Sequence, residues 1–234
     1  TFITLTTTFK YDSSLTTKDV STLQTNVLNA VSTYNTDTLE DFTGMFRYSA
    51  VGKTIDEADT SILSNITKIK MYKYITPTLS SGLKYTLSFN NAFYNPHSGH
   101  NASAGGIVSS TGFKINDDSS TNEHFLDDNG EGAIRVYYLS GTTRIYTDSS
   151  FGTIDYTTGE IILTSANITS ISNVDGAAST QIRVTVTPSS NDVVPVRNQV
   201  LSIDTANSSF TGSVDEIESG SSQAGTSYTT TSSY

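Results

Sequence analysis

Cysteine is absent from these 234 residues, and so is tryptophan. Without thiols there is no disulfide framework and no thiolate metal site, a usage that fits synthesis in a reducing compartment. Without tryptophan, a common platform for sugar rings is missing. Proline is scarce at 4 residues and histidine at 3, and only 15% of the chain is charged. No apolar run exceeds a few residues, so no segment spans a membrane as a helix. No lipidation signal is present either, and no membrane partner is expected.

The charge that is present leans to one sign. There are 23 Asp and Glu against 13 Lys and Arg, a net charge of −10 and a pI near 4.5. Such a surface repels phosphate backbones, which argues against a nucleic-acid partner. Thr, Ser, Asn and Gly fill much of the remainder, and Thr-rich faces suit strands better than helices. The 13 Tyr and 10 Phe supply the aromatic filling of a β-rich core. The length allows one large or two small domains. The chain opens at Thr1 inside an apparent strand, without a signal-peptide pattern, so further sequence is expected upstream.

Periodicity divides the chain. Phe2, Thr4 and Thr6 alternate with Ile3, Leu5 and Thr7, which predicts a strand over residues 1–11. Val20, Leu23, Val27, Ala30, Val31 and Tyr34 then recur at spacings of three and four, the stripe of an amphipathic helix. Thr16 or Thr17 is positioned to cap it, with Asp19 in the first turn. Leu39, Phe42 and Phe46 continue at helical spacing, interrupted by Gly44 and Gly52. Ile66 to Ile75 alternates again, a strand closed by Pro77. Residues 1–77 therefore read as a β-α-α-β module.

From 78 to 204, short strand candidates are separated by Gly, Asn, Asp and Pro, the pattern of an antiparallel β domain. Pro195 demotes "SNDVVPVRNQVLSID" to an edge or wrapping segment. Residues 205–234 form a Ser/Thr/Gly-rich tail too polar to fold alone, expected to be extended and ordered by a partner. The fold class is α+β.

Candidate chemistry is sparse. "FGTIDYTTGEIIL" reads as a hairpin about Thr158-Gly159, with Tyr156 opposite Ile161 and Ile154 opposite Leu163; a three-residue loop with Gly159 as a bulge is the alternative. Asp155 and Glu160 then lie diagonally on the other face, roughly 7–8 Å apart at the backbone. Inverting glycosidases separate their carboxyls by about 6.5–9.5 Å, but nothing else supports such a pair, and the expected reading is the solvated face of a hairpin. His97 and His100 have a zinc-ligand spacing in a polar loop, with His124 as a conceivable third ligand. Asp127, Asn129, Glu131 and Gly132 match the start of a calcium loop whose twelfth position, Tyr138, cannot ligate. There is no nucleophile elbow and no phosphate-cradling loop. Lys68, Lys70 and Lys73 look like solvent or edge protection. Tyr137 and Tyr146 could present an aromatic face to a glycan or receptor. No catalytic residue, cofactor or metal is assigned, and no enzyme activity is expected.

Three stretches in order carry a resemblance: "YSAVGKTIDEADTSILSNITKIKMYK", "FGTIDYTTGEIIL" and "SSNDVVPVRNQVLSID". Together they resemble the C-terminal half of the large baseplate wedge protein of T-even-like contractile-tailed phages, related to baseplate J-like proteins. The low-charge, Ser/Thr-rich, Cys-free texture is similar to versions from marine cyanophages. The resemblance covers roughly residues 1–204 and implies a virion structural protein, assembled in the host cytoplasm. It implies a homodimer whose copies link into a ring around the hub. It also implies contacts with other wedge proteins, including a lysozyme-like sheath-initiator, and rearrangement on contraction. The candidate assembly surface comprises Val20, Leu23, Val27 and Val31 of the helical stripe, which can pack internally or on a neighbour. Val193, Val194 and Val196 add an extended segment, and Phe210, Ile217, Tyr228 and Tyr234 lie in the tail.

Overall fold

The computed structural model describes residues 1–216 apart from 42, 101, 103–105, 119–121 and 196–198. The strands are β1 (Phe2–Tyr11), β2 (Ile62–Ile75), β3 (Gly82–Ser88), β4 (Ser109–Ser110), β5 (Phe113–Ile115) and β6 (His124–Asp128). They continue with β7 (Ala133–Ser140), β8 (Thr143–Asp155), β9 (Glu160–Ile171), β10 (Ile182–Val186), β11 (Ser202–Ile203) and β12 (Ser209–Val214). Two helices, α1 (Val20–Tyr34) and α2 (Tyr48–Asp56), lie between β1 and β2. The α+β expectation holds broadly, as a β-rich fold with few helices and a barrel.

The first sheet runs β11-β1-β2-β10-β4, with β12 also on β1. β1 and β2 are antiparallel, in register from Phe2 opposite Tyr72 to Lys10 opposite Ser64. Alternation gives each strand two faces. Ile3, Leu5, Phe9, Ile69 and Met71 are buried on one, where Leu23, Val27 and Val31 of α1 and Val51 and Ile55 of α2 meet them in a common core.

Local chemistry sets the helix ends. Asp19, rather than Thr16 or Thr17, caps α1: its carboxylate accepts from the Thr22 amide at 2.8 Å. Thr16 instead accepts from the Lys18 amide one turn earlier. The helix widens into a π-helical turn at Asn35–Leu39, where the Glu40 amide reaches back to the Asn35 carbonyl at 3.1 Å. Of the broken helix expected through Leu39, Phe42 and Phe46, Leu39 is helical, Phe42 lies outside the described residues and Phe46 is not helical. Phe46 is extended, bridged to Val193, and a Cβ on Gly44 would lie 2.5 Å from the Leu39 carbonyl oxygen. Gly52 does not interrupt α2; its carbonyl accepts from Asn65 at 3.0 Å. The α2 N-terminus is capped from far along the chain, Asp192 accepting from the Tyr48 amide at 2.9 Å.

The second sheet runs β3-β9-β5-β6-β7-β8, and β8 pairs again with β9. β9 meets β8 over residues 160–163 and β5 over 168–171, so the strands close into a barrel. Close passage at the seam demands Gly152, where a Cβ would stand 2.2 Å from the Ile162 carbonyl oxygen.

Three expectations change here. β10 and β11, assigned by sequence to the 78–204 domain, pair with β2 and β1 instead. The predicted tail is not wholly dependent on a partner: Ser209–Val214 is β12, parallel to β1 in the same chain. Its Phe210 packs against the core, and Gly212 passes over Phe9, where a Cβ would come 2.7 Å from the ring. Residues 217–234 lie outside the described residues. Finally, Asp155 pairs directly with Glu160 and Ile154 with Ile161. The loop is therefore Tyr156 to Gly159, four residues rather than two.

Candidate assembly interface

The direct pairing of Asp155 and Glu160 puts both carboxylates on one face of the ladder, but each is occupied. Asp155 accepts from the amides of Thr157 at 2.8 Å and Thr158 at 3.2 Å. These loop hydrogen bonds, those from Thr158 foremost, hold its carboxyl below the usual range. Glu160 accepts from the Ser88 hydroxyl at 3.0 Å. Together they tie the turn and the β3 edge.

His97 and His100 meet each other, Nε2 to Nδ1 at 3.1 Å. His124 is enclosed in β6, its Nε2 against Thr147 and Asp118. Among the described residues no group of three His, Cys, Asp or Glu is arranged to hold a metal. The calcium-like run is the β6–β7 turn. Asn129 closes it by accepting from the Glu131 and Ala133 amides at 2.8 and 2.9 Å, and Tyr138 lies in β7 opposite His124.

Sequence reasoning took Asp127 only as the start of a calcium-like loop and passed over Asp128, yet these two acids matter most to this region. Asp127 and Asp128 are both fully buried, turned to opposite faces of β6. Asp127 accepts from Arg135 Nε at 2.8 Å, Arg144 Nη1 at 2.7 Å and the Tyr146 hydroxyl at 2.9 Å. Arg135 covers the Tyr146 ring and Arg144 the Tyr137 ring. The anticipated aromatic platform of Tyr137 and Tyr146 is thus engaged internally. Asp128 gathers the Ile107 and Val108 amides at 2.6 and 2.9 Å and the Tyr156 hydroxyl at 2.6 Å. Burial and this neighbouring carboxylate push the Tyr156 hydroxyl pKa upward. The available signal was the double acid at a strand end, with Arg135 at the paired position across the hairpin.

Of the anticipated assembly residues, Leu23, Val27, Val31 and Val193 are fully buried in the chain's own core. They are therefore not surface for a neighbour: the apolar stripe of α1 and Val193 both turn into the shared core. Val20 and Val194 are exposed, and Phe210 is half-buried beside α1, lining a shallow cavity with Thr25 and Leu28. Val196, Ile217, Tyr228 and Tyr234 lie outside the described residues.

What is uncovered is a sheet face. Thr6, Thr8, Lys10, Ile66, Lys68 and Lys70 point away from the helices and are exposed, Ile66 by 71%. Lys73, grouped with them by sequence, points inward and donates to the Ser88 carbonyl at 2.6 Å. Only the far end is covered, where Phe2, Tyr72 and Tyr74 cluster and Tyr72 donates to Asp204 at 2.6 Å.

The carboxylates of the barrel are thus tied internally, and the first sheet beside it presents a broad open face. Residues 1–74 match the family model for baseplate structural protein gp6, C-terminal domain III. The match takes in the first of the three resembling stretches and leaves the other two outside it. No curated protein matches the chain. The family match supports a structural subunit of a phage tail baseplate, a virion component in contact with other baseplate proteins.

Proposed function

We propose that this chain is a wedge subunit of a contractile-tail baseplate. It links copies of itself, as a dimer and then a ring around the hub, and joins them to other wedge proteins. A lysozyme-like sheath-initiator is among those neighbours, assembly takes place in the host cytoplasm, and the ring passes on rearrangement when the sheath contracts. The observation that carries the reading is the match of residues 1–74 to a baseplate structural domain. That span is β1, both helices and most of β2, the part of the fold bearing the open face. The tied barrel supports a load-bearing role, since closure leaves fewer free edges to fray.

Cross-linking of purified phage particles tests this directly. Cross-links from Lys68 or Lys70 to other baseplate subunits are expected. Recovery of the chain only in particle fractions lacking the baseplate would overturn the proposal.

A further inference from the structure

The six strands of the first sheet contain no Asp or Glu, although the chain has 23 of them. They do contain five basic residues: Lys10, Lys68, Lys70, Lys73 and Arg183. Two of these are used internally, Lys73 on the Ser88 carbonyl and Arg183 on Asp175 at 2.7 Å. Lys10, Lys68 and Lys70 make no ion pair among the described residues, and all three stand on the open face. Cross-strand neighbours there are uncharged, Thr6 opposite Lys68 and Thr4 opposite Lys70.

The other side of the same layer has the opposite sign. Residues 12–61, which carry both helices, hold eight carboxylates against three bases. Asp19, Asp37, Asp41 and Glu57 among them are exposed. The module is therefore polar across its thickness, cationic on the bare sheet and anionic on the helices. Two copies at −10 repel each other over most of their surfaces. Contact becomes attractive where the bare sheet of one meets the helical side of another.

We propose that the open face of the first sheet docks on the acidic helical side of a second copy, head to tail. This deepens the baseplate reading by naming the two surfaces that meet, and takes its biological setting from that reading. A head-to-tail contact uses two different patches, so each copy keeps one of each free and the contact propagates into a ring or a filament. Thr6 and Thr8 are exposed between the lysines, and Ile66 supplies an apolar centre beside them. Because the charges are exposed, the association is salt-sensitive.

Sedimentation of the full chain at about 0.01 M and 0.15 M salt, with Debye lengths of roughly 30 and 8 Å, tests the proposal. Concentration-dependent association, stronger at the lower salt, is expected. Lys68→Glu with Lys70→Glu should weaken it at least about tenfold, and the Gln pair by less. Asp37→Lys with Asp41→Lys should weaken it too, and mixing the two reversed variants should restore it. Circular dichroism of each variant checks that the sheet is intact. A wild-type chain that stays monomeric at low salt overturns the proposal, as does association indifferent to the lysine reversal. If the lysine reversal blocks incorporation into particles while the free chain does not self-associate, the occupant is another protein and the second-copy proposal fails. Self-association by these faces in a chain absent from the baseplate would instead refute the baseplate reading and leave the docking inference standing.

Discussion

Asp127→Ala removes a fully buried carboxylate from between two guanidinium groups. Asp127 receives Arg135 at 2.8 Å, Arg144 at 2.7 Å and Tyr146 at 2.9 Å. Its loss takes from two neighbouring cations the counter-charge they share, and leaves the Tyr146 hydroxyl without this acceptor. Breaking a buried ion pair costs about 3–5 kcal/mol. Arg144 is 36% exposed and Arg135 only 17%, so water screens the first more than the second. The lower end, about 3 kcal/mol, is the expectation. For a chain of this size each kcal/mol lowers Tm by about 2–4 °C, so the midpoint should fall by about 6–12 °C. Urea unfolding reads the same quantity as a shift of midpoint at unchanged slope. Arg144→Gln, which removes the more exposed partner, should cost about 1 kcal/mol. In the double variant Asp127→Ala with Arg144→Gln, the second change should cost less than it does alone, because the contact the two residues share is already gone. A loss below about 1 kcal/mol for Asp127→Ala would refute the view that this network holds β6, β7 and β8 together.

Tyr156→Phe deletes the hydroxyl that donates to Asp128 at 2.6 Å; a loss of about 1.5–3 kcal/mol in urea unfolding is expected for a hydrogen bond to a charged group. Gly159→Ala should be poorly tolerated, since φ is +70° and a Cβ would stand 2.0 Å from the Asn91 carbonyl oxygen. Gly141→Ala, at φ +64° in open space, should cost only about 1 kcal/mol, so equal losses in a thermal melt would contradict the steric argument. The Lys18 hydrogen bond to Asp59 lowers that carboxyl to about 2. Being depressed on folding, this group stabilises the protein above its ordinary pKa of 3.8, and the contribution is lost as pH falls from there to about 2. Asp59→Asn should flatten stability against pH in that window; an unchanged profile would remove Asp59 from the account.

Two features of the fold were visible in local order. The alternation of β1 and β2 and the three-and-four spacing of α1 are local patterns, because side-chain direction repeats every two residues in a strand and every 3.6 in a helix. The absence of acids from what became the first sheet was equally present in the sequence, but it became meaningful only once distant strands shared a face. The sequence by itself thus determined the inward faces of β1 and α1, and that no thiol chemistry or long apolar span exists. The tertiary structure alone decided that β10, β11 and β12 return to β2 and β1, that β9 closes the barrel, and that Asp192 caps α2 across 144 residues. It also decided that Asp127 meets Arg144 rather than solvent. Periodicity states which way a side chain points, whereas the partner it meets depends on which free edges and unpaired charges the folded chain brings within a few ångströms.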